Sequence, residues 1–235
     1  AHWAADSRFN YEELYDFGID ASRVTTAPPF HLAEFVPREW GGMPPGEGVP
    51  FRLLFVGRMA PNKGHADLLR ILAKYMQRFG ADMRFDVVGE THPEMIGYLR
   101  NMQELAVRLG VADLVHWRGG LSDEEVADLY RRADVFLCMS EHEGFCVPLI
   151  EAQAVGLPVV AGKAGAVAET LGEEQLVADL PHRELDYLFY ANLLRELWQN
   201  PHLRRKVVEQ GYRNYWQRFS PERVADSFVE AILPI

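Results

Sequence analysis

The segment EGFCVPLIE begins and ends with a glutamate, Glu143 and Glu151, in surroundings that are otherwise small and apolar. Burying an ionised carboxylate there costs several kcal/mol unless the group is paired or hydrogen-bonded. A carboxylate accepts hydrogen bonds from hydroxyl groups, and sugars and riboses offer adjacent hydroxyls in quantity. The two glutamates therefore indicate a site for a polyol ligand. The alternative interpretation is a pair of ordinary surface side chains.

Positive charge is concentrated in the segment GRMAPNKGH, which contains Arg58 and Lys63 and leads into a predicted helix. Two cations beside a glycine-flanked turn and a helix N-terminus favour a phosphate or diphosphate, because backbone N–H groups and the helix dipole add to the side-chain charge. The alternative is two solvated surface cations, and the spacing alone leaves the choice open. A second helix start rich in backbone amides follows Glu143, at Gly144, Phe145, Cys146 and Val147.

The spacing of glycine and lysine argues against two common nucleotide-binding motifs. In a Walker A loop the lysine follows the second glycine and precedes Ser or Thr, whereas here Lys63 precedes Gly64 and His65 follows. A dinucleotide fingerprint needs G-x-G-x-x-G after the first strand, and GRMAPNKG lacks it. P-loop ATPase and dehydrogenase functions are therefore disfavoured.

The bulk composition excludes several other classes of protein. The chain of 235 residues has a formal net charge of -10, which argues against nucleic acid as a partner because affinity for the phosphate backbone comes from summed Lys and Arg. The two cysteines form no disulfide framework or zinc spacing and suit a reducing compartment. No stretch approaches the ~20 apolar residues that span a bilayer, and the N-terminus does not resemble a signal peptide. We expect a cytoplasmic protein, with peripheral contact at the inner face of the membrane left open.

From Phe51 onward, short apolar runs alternate with amphipathic segments, which is typical of a parallel sheet covered on both faces. Five strands are predicted: FRLLFVG, MRFDVVG, DLVHWRG, DVFLCM and PVVAG. Helices are predicted between them, including one over 93–109 and one that begins with the capping box of Ser122 and Glu125. The predicted fold class is α/β, a doubly wound, Rossmann-like parallel sheet that ends near residue 180 and is followed by C-terminal helices. Ligands of such sheets bind at the carboxyl ends of the strands.

The first fifty residues differ in composition and set a predicted domain boundary. SRFNYEELYDFGI predicts a short capped helix, SRVTTAPPF a strand that ends at a double proline, and GGMPPGEGVP a linker. Residues 1–50 are too few for a domain of this type, so we expect the remnant of an N-terminal domain and an interdomain linker. Residues 51–235 would form the ligand-binding domain with its helical extension.

Three segments together resemble a known family. GRMAPNKG, the block from Asp113 to Ala161 and GAVAETLG are similar to the C-terminal, donor-binding half of retaining glycosyltransferases of family 4, which have the GT-B fold of two Rossmann-like domains. The resemblance runs from about Ser7 to the end of the chain, and the paired glutamates with a basic loop upstream are quite specific. It implies glycosyl transfer from a nucleoside diphosphate sugar to a glycan or lipid-linked acceptor.

The resemblance also implies a role for each matching residue. Arg58 and Lys63 would bind the donor diphosphate. Glu143 would lie beside the transferred sugar, as a nucleophile or a positioning group, and Glu151 would hold the ribose hydroxyls. The predicted catalytic residues are thus Glu143, Arg58 and Lys63. The other predicted donor-binding residues are Gly57, Gly89, Gly144, Phe145, Cys146 and Val147.

Several positions carry weaker predictions. Glu90, Trp117 and Arg118 are expected at the same rim, although Trp117 is better explained as a core residue. Glu169 matches a glutamate that is common in the family, but an ordinary residue in the first turn of a helix explains it equally well. Four histidines are left as unassigned polar or packing residues, of which the one beside Glu143 is the most interesting: His65, His92, His116 and His142.

A complete enzyme of the family has an N-terminal Rossmann-like domain that supplies the acceptor pocket. This chain would need that domain or a partner subunit, so we expect donor binding but negligible transfer by residues 1–235 alone. The resemblance implies a site that needs no metal cofactor. The lack of a DxD-like carboxylate pair beside a strand end fits this, since SDEE at 122–125 is better explained as a helix cap. Two alternatives stay open: a non-catalytic nucleotide-sugar-binding or interaction module, and a nucleotide-sugar epimerase on the same architecture.

Overall fold

The computed structural model describes residues 2–29, 49–181 and 183–232. The predicted linker lies outside these residues, apart from its last two positions. The strands are β1 Trp3–Ala5, β2 Val24–Thr26, β3 Phe51–Val56, β4 Met83–Val88, β5 Val115–Arg118, β6 Val135–Cys138, β7 Val159–Lys163 and β8 Leu176–Asp179. The α-helices are α1 Arg8–Asp16, α2 His65–Phe79, α3 Ile96–Arg108, α4 Asp123–Arg132, α5 Val147–Ala154, α6 Val167–Leu171, α7 Glu184–Gln199, α8 Pro201–Arg218 and α9 Pro221–Ile232.

The main sheet has six strands in the order β5-β4-β3-β6-β7-β8, and every pair in it is parallel. This order confirms the predicted doubly wound α/β fold, since the chain reverses its winding direction between β3 and β6. Crevices for ligands form at such a reversal, beyond the carboxyl ends of the strands. The five predicted strands are β3 to β7. Strand β8, an edge strand that is only partly buried, was not predicted.

Both faces of the sheet are covered by helices, because side chains alternate in direction along each strand. Leu53 and Phe55 pack with residues of α2, α3 and α7. Leu54 lies between them in sequence and packs with residues of α4 and α5 instead. The resulting core holds the strand ends at fixed positions, and the loops beyond those ends are the ones that carry the predicted site.

The helices follow the sequence signals closely. The capping box of α4 is present: the Ser122 hydroxyl accepts from the Glu125 N–H, and the Glu125 carboxylate accepts from the Ser122 N–H at 2.8 Å. The helix predicted over 93–109 begins with a single 3-10 turn, Pro93–Met95, before α3. The C-terminal part is helical as predicted, with breaks at the prolines that start α8 and α9. Among the described residues, no helix combines the length and the apolar character that crossing a membrane requires.

The N-terminal segment, residues 2–29, forms a small unit of its own. Its two strands pair in parallel around α1, and the first of them was not predicted. Ser7 caps α1, as the sequence indicated, by accepting from the Asn10 N–H at 3.0 Å. The N-terminus of α1 also contacts the main sheet's loops, which bears on the site described next.

Candidate functional site

A buried ion pair joins the loops that follow β3 and β6. The Lys63 Nζ donates to the Glu143 Oε1 at 2.7 Å, and the two side chains are only 16% and 8% exposed. Lys63 belongs to the basic loop and Glu143 to the glutamate-bounded segment, which are 80 residues apart in sequence. The interpretation of these two residues as solvated surface charges is therefore wrong.

Backbone contacts fix the two loops against each other. The Asn62 carbonyl accepts from the Glu141 N–H at 2.8 Å. Gly64 has a φ of 66°, and a Cβ atom there would lie 1.9 Å from the Met139 carbonyl oxygen. A side chain at this position would thus be strained by its backbone conformation and would clash with the end of β6. The Lys63 ammonium is brought to Glu143 by this close approach.

The backbone of Glu143 is held from a third direction, by the turn before α6. Its carbonyl accepts from the Ala166 N–H at 2.8 Å. Gly165, with a φ of 52°, packs so closely that a Cβ atom would lie 2.2 Å from the same carbonyl oxygen. The next loop residue but one, Phe145, is also held, since its carbonyl accepts from the Thr170 hydroxyl at 2.6 Å. The geometry of this loop is therefore set before any ligand arrives.

The start of α5 has an unusual cap. Cys146 occupies the N-cap position with a φ of 70°, in the left-handed region that side chains rarely adopt. Helix α5 begins at Val147, with Pro148 in its first turn. No side chain of the described residues caps this N-terminus. Pro148 has no N–H, and the Leu149 N–H donates to the Cys146 carbonyl at 3.0 Å, so in this turn it is the Val147 amide that is left for solvent or for an anionic ligand.

Glu151 lies on α5 in a different environment from Glu143. Its Oε2 accepts from the Tyr130 hydroxyl at 2.8 Å, and Tyr130 is fully buried against Phe136. Burial raises the pKa of Glu151 from its ordinary value of 4.5, although the Tyr130 hydrogen bond opposes that rise. The carboxylate is partly exposed and keeps a second oxygen for further hydrogen bonds.

Arg58 is exposed, and it lines a cleft of about 710 Å³ next to the ion pair's loop. Glu90 and His92 line the same cleft, as does the turn at Gly119. This volume suits a small-molecule ligand. The prediction that Glu90 lies at the rim holds, and Arg58 points to a part of the rim that is open to solvent.

Gly57 and Gly89 extend the sheet by one residue beyond β3 and β4. The Gly57 N–H donates to Val88 and the Gly89 N–H to Arg118, each at 2.9 Å. A Cβ atom at Gly89 would lie 2.0 Å from the Gly57 carbonyl oxygen. The glycine at position 89 allows the two backbones to approach closely at the ends of these strands. That Gly57 and Gly89 also contact a ligand stays a prediction.

The side chains of Trp117 and Arg118 point to opposite faces of the sheet, as those of neighbours on a strand do. Trp117 packs against the core, in agreement with the core interpretation. Arg118 donates to Asp86 and lines a separate cleft with Arg84. The expectation that Arg118 shares the rim with Glu90 is therefore wrong.

The histidines also separate into different environments. His65 is buried against Phe55 and Tyr98, and burial lowers its pKa to about 4. His142 is exposed, and its ring makes an edge-to-face contact with the ring of Phe9, with the two ring centroids 5.7 Å apart. His65 is therefore a packing residue, and His142 marks a contact between the N-terminal segment and the loop of Glu143.

That contact is one of several that sequence reasoning missed. The Ser7 hydroxyl donates to the Gly144 carbonyl at 2.6 Å. The Glu169 carboxylate accepts from the Arg8 and Phe9 N–H groups at 2.8 and 3.1 Å, so that it completes the cap of α1. Glu169 thus joins the N-terminal segment to α6. The sequence marked Ser7 as a cap and Glu169 as a first-turn residue, but gave no signal that they meet.

The family of the chain follows from comparison with known proteins. The family model described as "Glycosyl transferases group 1" matches residues 47–214. A D-inositol 3-phosphate glycosyltransferase of Saccharomonospora viridis is 31% identical over 223 residues, which cover 92% of this chain and 51% of that protein. An MMP alpha-(1->4)-mannosyltransferase of Mycolicibacterium hassiacum is 34% identical over 166 residues, or 70% of this chain and 38% of that protein. The chain thus spans about half, or less, of the length of these relatives.

Solved structures give the same fold. HepE of Anabaena, in complex with UDP and glucose, aligns with a TM-score of 0.83 at 19% identity. The alignment covers 99% of this chain and 63% of the HepE chain. The C-terminal domain of LpcC of Francisella tularensis, a glycosyl transferase group 1 family protein, aligns with a TM-score of 0.62 at 22% identity. The alignment covers 73% of this chain and 88% of that domain's chain. The Rossmann-like sheet is that of one half of the GT-B fold, as the resemblance implied. Since the family model matches most of the residues that form this sheet and the site at its edge, the chain belongs to the group 1 glycosyl transferases.

Proposed function

We propose that this chain forms the donor-binding half of a retaining glycosyltransferase whose donor is a nucleoside diphosphate sugar. The observation that carries the proposal is the buried pair of Lys63 and Glu143 at the carboxyl ends of β3 and β6. A cation and a carboxylate held side by side in a crevice suit a ligand that is part diphosphate and part sugar. The family membership and the UDP and glucose bound by HepE support this choice of ligand.

The diphosphate would lie between Lys63, Arg58 and the backbone amides of residues 144–147, which lead into α5. Negative charge grows on its oxygens as the bond to the sugar breaks, so cations and amides fixed in advance stabilise the transition state more than the ground state. Glu143 holds Lys63 in place before the donor binds, so the ammonium group does not have to move when the phosphates arrive. Arg58 is exposed and would move onto the phosphates when they arrive.

The sugar and the ribose would be gripped by different carboxylates. Glu143, whose backbone is held by α6, would lie beside the transferred sugar and position it or act as the nucleophile. Glu151 would accept from the ribose hydroxyls with the oxygen that Tyr130 leaves free. The base would occupy the cleft lined by Glu90, which opens next to the same loop. This proposed mechanism involves no metal ion.

Transfer itself would need an acceptor site. We propose that an N-terminal domain or a partner subunit supplies it, with a glycan or lipid-linked molecule as the acceptor. Purified residues 1–235 should then bind donor nucleotide but transfer sugar negligibly. Robust transfer by this chain alone would contradict this part of the proposal.

The test is a calorimetric titration of residues 1–235 with UDP, GDP, ADP and dTDP. One nucleotide should bind clearly better than the others, and Lys63→Ala should weaken that binding by at least about tenfold, since a charge-assisted contact to phosphate is lost. Lys206→Ala is the matched control, because Lys206 is an exposed cation on α8. No binding of any of the four at millimolar concentration would favour the non-catalytic module.

A further inference from the structure

Two thiols lie on either side of the loop that carries Glu143. Cys138 ends β6 and is buried, and Cys146 precedes α5 and is partly exposed. The fold brings both sulfur atoms and a Glu143 carboxylate oxygen within 4.8 Å of one another. These are the only two cysteines of the chain, and both are free thiols.

A buried hydroxyl group lies next to this pair of thiols. The Cys138 thiol donates to the Ser140 hydroxyl oxygen at 3.5 Å, and Ser140 is buried. The Ser140 oxygen is therefore a further potential ligand atom on the Cys138 side of the cluster.

This set of atoms matches the preference of one class of ion. Thiolates select soft or borderline cations such as Zn²⁺ and Cd²⁺, and two sulfurs with one or two oxygens suit a tetrahedral site. Hard cations such as Mg²⁺ need six oxygen ligands, which the described residues here do not supply. Small shifts of the side chains would bring the donors from their present separations to coordination distance.

The charges also balance. Two thiolates and the Glu143 carboxylate carry three negative charges, and a divalent cation together with the Lys63 ammonium carries three positive ones. Lys63 donates one hydrogen bond to the Oε1 of Glu143, and a carboxylate has about four lone-pair sites, so the lysine leaves acceptor capacity on Glu143 for an ion. The neighbouring lysine is thus compatible with a bound cation instead of excluding it.

We propose that Cys138, Cys146 and Glu143 form a binding site for a thiophilic divalent cation of the zinc class. Binding replaces the two thiol protons, which are released to solvent, with two sulfur–metal bonds. Because the ion takes an oxygen of Glu143, it competes with the donor sugar; this consequence rests on the proposed function, whereas the binding itself does not.

The test is a titration of residues 1–235 with Cd²⁺, with the protein kept reduced by a phosphine. A thiolate-to-metal charge-transfer band in the ultraviolet should saturate at a stoichiometric amount of Cd²⁺. Cys138→Ser and Cys146→Ser should each reduce the band and weaken binding by at least about tenfold. Circular dichroism checks that both variants are folded.

Glu143→Gln and Glu141→Gln form a matched pair for the oxygen ligand. Glu143→Gln should weaken Cd²⁺ binding by about tenfold, whereas Glu141→Gln, which changes an exposed carboxylate two positions away, should not. No band at stoichiometric Cd²⁺, or a full band in Cys138→Ser, would overturn the proposal. The nucleotide titration is run without metal, so failure of the proposed function and failure of the cation site are distinguishable.

Discussion

The two glutamates that bound the segment EGFCVPLIE are the same residue type in opposite environments. Glu143 is paired with the Lys63 ammonium, and its backbone is held by the turn before α6. Glu151 has a neutral partner, the Tyr130 hydroxyl, and burial raises its pKa. A carboxylate with a fixed counter-ion can position a reacting group, while one with a neutral partner is suited to accept hydrogen bonds from ligand hydroxyls. The proposed division into a sugar-binding and a ribose-binding glutamate follows from this difference.

The largest effect should come from removing the counter-ion. Lys63→Met leaves Glu143 buried without a cationic partner, and we expect a loss of about 3–5 kcal/mol in the free energy of unfolding. Urea denaturation measures it. Lys206→Met removes an exposed cation and should change the stability by less than about 0.5 kcal/mol. A loss from Lys63→Met as small as that of its control would mean that Glu143 does not depend on the pair.

The roles of the glutamates can be separated in an enzyme that carries both halves. Glu143→Ala should slow transfer by about 10²–10³-fold with a modest change in nucleotide affinity, because it removes a group that acts on the reacting sugar. Glu151→Ala should instead weaken nucleotide binding by about tenfold, since it removes hydrogen bonds to the ribose. Single-turnover kinetics and calorimetry measure the two quantities. The reverse ordering would refute the division of roles.

A smaller effect should follow from removing the neutral partner. Tyr130→Phe deletes the hydroxyl that donates to Glu151 without opening a cavity, and we expect a loss of about 1 kcal/mol in stability. Thermal denaturation with and without nucleotide measures it. Nucleotide affinity should fall less than in Glu151→Ala, because the carboxylate remains. Equal losses in the two variants would show that Tyr130 itself, and not Glu151, dominates the contact.

The smallest effect concerns pH. The folded-state pKa of Glu151 is raised by burial, so the folded chain keeps this proton at pH values where the unfolded chain has lost it. The stabilisation from that proton is fully present below the ordinary value of 4.5 and is lost as the pH rises through the raised folded pKa. Glu151→Gln should therefore remove this slope and be neutral or mildly stabilising near neutral pH. Unfolding measured across this range, with Glu141→Gln as the control, checks the sign.

The sequence predicted the parts of the molecule that depend on local patterns. Continuous apolar runs predicted β3 to β7, and cap residues predicted the starts of α1 and α4. The edge strand β8 was missed because LVAD is short and only partly buried, so its pattern resembles that of a loop.

The site was predicted residue by residue, but not its contacts. Lys63 and Glu143 were each singled out, yet their ion pair depends on how β3 and β6 pair, which no local pattern encodes. Tyr130 was not singled out, because its contact with Glu151 depends on how α4 packs against α5. The error at Arg118 has the same origin, since its direction depends on which face of the sheet it occupies.

The close approach of Gly64 and Gly165 to neighbouring backbone limits the substitutions that this site can accept during evolution. A saturation library should accept only glycine at these two positions, because any side chain would meet a carbonyl oxygen at 1.9 or 2.2 Å. Cys146 sits in an equally unusual backbone conformation but is partly exposed, and glycine there should be tolerated. New donor specificity would thus arise from substitutions of side chains that line the cleft, while the backbone path of the loops stays the same.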